Sequence, residues 1–190
     1  MFVMPNTVIV EYAIEGPKKQ LRKIAAAIKN HPVEEGFQRD CEGSVLKALG
    51  INTAKENYPQ GVILQEPAWI KDALCFTAQE SVNKVSFKKL LKEKFSEIRV
   101  FYFLENNIEG IYTTNDRFGK YFPERYSVDT CIDGYYYYEY FSEKKDIYKW
   151  LFSLTKGKIK SDEDIEHYSA SCDGKNFIVI NKFTVEKDFL

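Results

Sequence analysis

The chain has 190 residues, enough for one sizeable domain, or two very small ones, with roughly 70% of the unfolded surface buried on folding. Hydrophobic content of 44% and charged content of 29% are those of an ordinary globular protein, while 13 Tyr and 14 Phe raise the aromatic share to 15% and argue against an all-helical fold. A net charge of −1 lacks the excess of cations carried by proteins whose main task is gripping nucleic acid backbones, and leaves room only for a local basic patch.

The first element is TVIVEYAIEG, β-branched and aromatic from Thr7 and stopped by Gly16, which predicts a strand. Pro17 stands where a helix tolerates proline, at its first position. Leu21, Ile24, Ala25 and Ile28 then fall on one face of a helix that ends near Asn30, before Pro32. Residues 32–70 read as an irregular insertion with one short helical stretch, GSVLKALG.

Asp72 to Glu80 predicts a strand, and Asn83 to Phe95 a helix striped by Phe87, Leu90, Leu91 and Phe95 with lysines opposite. A hairpin follows, with arms Ile98–Leu104 and Ile108–Thr114 around a turn at Glu105-Asn106-Asn107. A second hairpin has its first arm at Tyr121–Thr130, interrupted by Pro123, a turn at Asp133-Gly134, and the run YYYYEYF as its return arm. Ile147, Trp150, Leu151 and Leu154 mark a helix closed by Gly157. Ser161 with Asp164 starts a short helix in the manner of a capping box, and NFIVINKFTVE is a last strand. The order predicts a single α+β domain over residues 1–190 with a mostly antiparallel sheet, plus an extra hairpin and helices towards the C-terminus.

Side chains alternate along a strand, so Tyr135, Tyr137 and Glu139 share one face and Tyr136, Tyr138 and Tyr140 the other. Glu139 points to its own face as the wetter one. The run reads either as a strand packed on both sides or as a stacking platform for planar ligands. Tyr135, Tyr137, Trp69, Arg117, Lys120 and Arg125 are the candidate ligand-binding residues, because aromatics and cations can share a surface there.

Cys41, Cys75, Cys131 and Cys172 are scattered, which reads as free thiols in a reducing compartment. The start lacks a signal-peptide pattern and no apolar run approaches the ~20 residues of a membrane span, so the expectation is a soluble cytoplasmic protein. The sequence carries no metal-ligand cluster, P-loop, Gly-x-Gly-x-x-Gly or Gly-x-Ser-x-Gly, and no cofactor or metal is expected.

Met4-Pro5-Asn6, Ile14-Glu15-Gly16-Pro17 before an amphipathic helix, Phe76-Thr77-Ala78, Phe95, Glu105 and Gly110 follow one another over Met4 to Tyr112. Their order resembles the landmarks of the YubB ferredoxin-like family, uncharacterised proteins often carried on bacterial plasmids and phages. Gln79 stands where the family has tryptophan, and Trp69 only echoes a tryptophan-rich segment upstream. The resemblance implies a ferredoxin-like core and a mobile-element origin, and no activity. The expected function is that of a non-enzymatic binding or accessory protein. Two alternatives stand beside it: single-stranded nucleic-acid binding through an aromatic sheet face, and a small enzyme with a site around His31 and Cys41.

Overall fold

A computed structural model describes residues 7–30, 41–52, 61–81, 87–171 and 176–187. These residues form a mixed α+β protein with five helices and mostly antiparallel strand pairing. The chain divides into two compact units, Met1–Ile111 and Tyr112–Leu190.

In the first unit, β1 (Thr7–Glu15) is central. It pairs antiparallel with β4 (Ala73–Ser81) on one side and with β5 (Arg99–Asn106) on the other. Two three-residue strands, β2 (Gly61–Ile63) and β3 (Ala68–Ile70), both pair antiparallel with β4. They fall in the stretch expected to be irregular. A three-residue strand is too short to show a period of two, so only its partner reveals it.

The helices α1 (Lys18–Lys29), α2 (Cys41–Ala48) and α3 (Phe87–Lys94) cover one face of this sheet. Val10, Tyr12 and Ile14 point into that face beside Phe76 and Tyr102, and meet Leu21, Ile24, Leu46, Phe87 and Leu91 from the helices. Full burial of each such side chain contributes roughly 1.5–3 kcal/mol. The rings of Tyr12, Phe76 and Phe87 form a cluster with centroids 5.1–6.1 Å apart. The α3 stripe agrees with the expected one, while the expected start at Asn83 lies outside the described residues, as do Met4-Pro5-Asn6 and His31.

β6 (Ile111–Thr114) follows a turn in which the Asn106 side chain accepts the N–H groups of Ile108 and Glu109, both at 2.9 Å. The second unit is built on a three-stranded antiparallel sheet in the order β8-β7-β9, from β7 (Tyr126–Ile132), β8 (Tyr135–Phe141) and β9 (Phe177–Lys182). Asp133 and Gly134 both have positive φ, 51° and 82°, as a two-residue turn with right-handed strand twist requires. β7 begins at Tyr126, so Pro123 lies in the preceding loop rather than in a strand.

The helices α4 (Lys144–Leu154) and α5 (Asp162–Ser171) complete this unit. Val128 and Ile132 pack with Ile147, Leu151 and Ile159 into its core. Ser161 caps α5 as expected, its Oγ accepting the Asp164 N–H at 3.2 Å, while Asp164 reaches one residue further back and accepts the Lys160 N–H at 2.8 Å. That backbone donor holds the Asp164 carboxyl below its ordinary range. A short strand, β10 (Thr184–Val185), pairs with β6 in parallel. No helix among the described residues is long and apolar enough to cross a membrane.

Candidate functional site

In the first unit, a groove of about 300 Å³ is lined by Lys18, Arg22, Trp69, Lys71 and Asp72. Each element positions its part for a plain local reason. Lys18 and Arg22 stand four residues apart, so they share one exposed side of α1. Trp69 is 47% exposed, because β3 is a short strand at the side of the sheet and all three of its residues face solvent. Lys71 occupies the turn between β3 and β4 with φ of 56°.

Among the described residues, none of Lys18, Arg22 and Lys71 forms an ion pair. Pro17 caps α1 without a side-chain hydrogen bond, so the positive end of the helix dipole opens beside Lys18. The cations continue along α1 through Lys19, Lys23 and Lys29, with no carboxylate in that helix. A second groove, of about 490 Å³, includes Lys23 and Lys94. The protein is close to neutral overall, but this helical side of the first unit is basic.

Trp69 is the one candidate residue of the first unit. The others lie in the second, and they separate there. Arg125 serves the backbone: Nη1 donates to the carbonyls of Phe122 and Glu124 at 2.7 and 2.8 Å, and Nη2 to that of Asp116 at 2.8 Å. Buried Asp116 in turn accepts the N–H groups of Tyr121 and Phe122 at 2.6 and 2.9 Å. Arg117 and Lys120 are exposed on the same loop, each beside an aromatic neighbour, Phe118 at 5.8 Å and Tyr121 at 5.1 Å. Tyr135 stands at the far end of the hairpin, opposite Ile132, while Arg125 lies next to the Tyr126↔Phe141 pair. Six residues at ~3.3 Å each put about 20 Å along the strand between Tyr135 and Phe141. Tyr135 and Arg125 therefore do not share one binding surface.

The two faces of β8 are the reverse of the expected ones. Tyr137 lies on the helix side, its ring edge-on to Trp150 at 6.1 Å. The wetter face is that of Tyr136, Tyr138 and Tyr140, with Asp129 and Cys131 from β7 and Phe177, Val179 and Asn181 from β9, while Ser127 at one end of it is fully buried. Glu139 misleads because β8 is an edge strand. A side chain on its rim stays exposed even on the covered face.

Cys75 and Cys131 are unpaired and half-buried. The side chain of Cys41 and all of Cys172 lie outside the described residues. Burial, and next the Glu11 carboxylate, push the Cys75 thiol above its ordinary range, against a smaller opposing effect of the Ile70 backbone. Since the thiolate is the reactive form, Cys75 should alkylate at least several-fold more slowly at pH 8 in the folded protein than in urea. Peptide-resolved iodoacetamide labelling checks this, and equal rates would contradict it.

Among the described residues no group of three or more His, Cys, Asp or Glu side chains is placed to hold a metal ion. Sequence reasoning missed Lys18, Arg22 and Lys71. The available signal was an α1 segment with several cations and no acid, but the groove joins segments some fifty residues apart. Comparison of the chain with protein-family models, curated proteins and solved structures finds no match.

Proposed function

We propose that the protein is a non-catalytic binding protein whose ligand is single-stranded nucleic acid, held on the basic helical side of the first unit. The observation that carries this reading is the groove that sets Lys18, Arg22 and Lys71 around the exposed indole of Trp69. Phosphates need cations and oriented N–H groups, which the α1 terminus and these side chains offer. A base needs a flat apolar surface, and Trp69 offers one. Asp72 can accept a hydrogen bond from an exocyclic amino group.

The first unit is taken here as ferredoxin-like. The strand order β5-β1-β4-β2, with helices after β1 and after β4, supports that assignment. The resemblance to the YubB family, and with it an origin on a mobile element, rests on the motifs around Ile14–Pro17, Phe76–Ala78, Glu105 and Gly110.

The test is anisotropy of a labelled twelve-nucleotide oligothymidylate, with tryptophan quenching in a Trp150→Phe background so that only Trp69 reports. A Kd of ~1–100 µM at low salt, weakening as salt rises, is expected. A folded protein that fails to bind at low salt, or that binds without quenching Trp69, would sink the reading.

A further inference from the structure

The open face of the second unit's sheet has a different chemistry. Tyr136 and Phe177 are 62% and 37% exposed and flank Cys131, with ring centroids 6.5 Å apart. One step along β7, Asp129 lies between Tyr138 and Val179, the latter 46% exposed. Asp129 Oδ1 is buried and accepts no hydrogen bond. Native structures rarely leave a carboxylate oxygen in that state, because the atom has lost its water and gained no donor. Burial, and next hydrogen bonding to Asp129, also raises the Tyr136 hydroxyl above its ordinary range. Among its described residues this face has no lysine or arginine.

A carboxylate with one oxygen short of a donor, set among aromatic rings, matches a cation with an apolar stem. It does not match phosphate, which both the charge and the π faces would repel. Nor does it favour a second copy meeting face to face, because a two-fold axis through the patch would bring Asp129 against its own counterpart.

We propose that this face docks a basic polypeptide segment of a partner protein, seating one arginine or lysine side chain at Asp129 with its stem over Val179 and its charge beside Tyr136 and Tyr138. Arginine suits the site better, since its planar guanidinium can stack on a ring while donating to the carboxylate. This docking is independent of the nucleic-acid reading, because it uses neither α1 nor Trp69.

Cys131 lies under the proposed ligand and serves as the reporter. The full chain is alkylated with iodoacetamide with and without the blocked peptide acetyl-(Gly-Arg)4-amide, and Cys131 is followed by mass spectrometry. The peptide should slow Cys131 alkylation about fivefold or more. Its citrulline counterpart, equal in shape but uncharged, should slow it less than twofold, and Asp129→Asn should abolish the difference. Asp129→Asn keeps the shape of the side chain and should fold as the parent does, and exposed Tyr136→Ala provides a second variant that should also lose protection. Absence of protection, equal protection by the citrulline peptide, or full protection in Asp129→Asn would overturn the proposal. So would protection by oligothymidylate in place of the peptide, or protection without peptide that grows with protein concentration.

Discussion

Arg125→Ala should lower the stability of the second unit by roughly 3–5 kcal/mol. Its guanidinium donates to the carbonyls of Phe122, Glu124 and Asp116 within 2.8 Å. Charge-assisted bonds contribute ~1.5–3 kcal/mol each, and two of them already reach that range. The loop they hold is tight: Gly119 has φ of 66°, and a Cβ there would stand 2.9 Å from Pro123 Cα. Asp116→Ala should act in the same direction, by about 2–4 kcal/mol, because it strands the part-buried N–H of Tyr121 and the buried N–H of Phe122. Arg125→Lys should lose most of the effect too, since one ammonium cannot reach carbonyls on both sides of a fork. Urea unfolding followed by Trp150 fluorescence in a Trp69→Phe background reads this directly. At ~1 kcal/mol per molar urea, the midpoint should fall by about 3–5 M. A shift under ~0.5 M would mean that the clamp does not hold the loop.

This arginine also shows where the sequence stops being informative. A cation beside aromatic residues in a loop looks the same whether it meets a ligand or its own backbone, because the carbonyls it binds leave no trace in composition. Regular elements are different. The stripe of Ile147, Leu151 and Leu154 specifies α4 because one face of a helix must meet a core, and Asp133-Gly134 specifies its turn because few residues accept positive φ twice in succession. The alternation of the tyrosine run was legible as well. Which face is covered was not, because that depends on α4 docking against β7, beside β8 at the sheet edge. Tyr136 and Phe177 are 41 residues apart and meet only because β7 lies between their strands.

The same limit applies to the groove at Trp69, and there it makes a quantitative distinction testable. Stacking and charge should respond differently to salt. Trp69→Ala removes a flat surface and no charge, so oligothymidylate binding should weaken by ~1–3 kcal/mol, about 5- to 150-fold, with the same dependence of log Kd on log salt. Lys18→Ala with Arg22→Ala removes two cations from one side of α1 and no stacking surface. Binding should then weaken most at low salt, and the salt slope should shrink by about 1.4, at ~0.7 per phosphate contact on a single strand. Combining all three substitutions should bring the loss to ~100-fold or more at low salt, provided the contacts act independently. Lys145→Ala in the second unit is the control, an exposed cation paired with Glu143, and should change neither quantity. Anisotropy titrations over a tenfold range of potassium chloride give both numbers for each variant. A Trp69→Ala protein that binds as tightly as the parent would remove the base from the groove. A double variant that keeps the parental slope would remove the phosphates, and with them the nucleic-acid function.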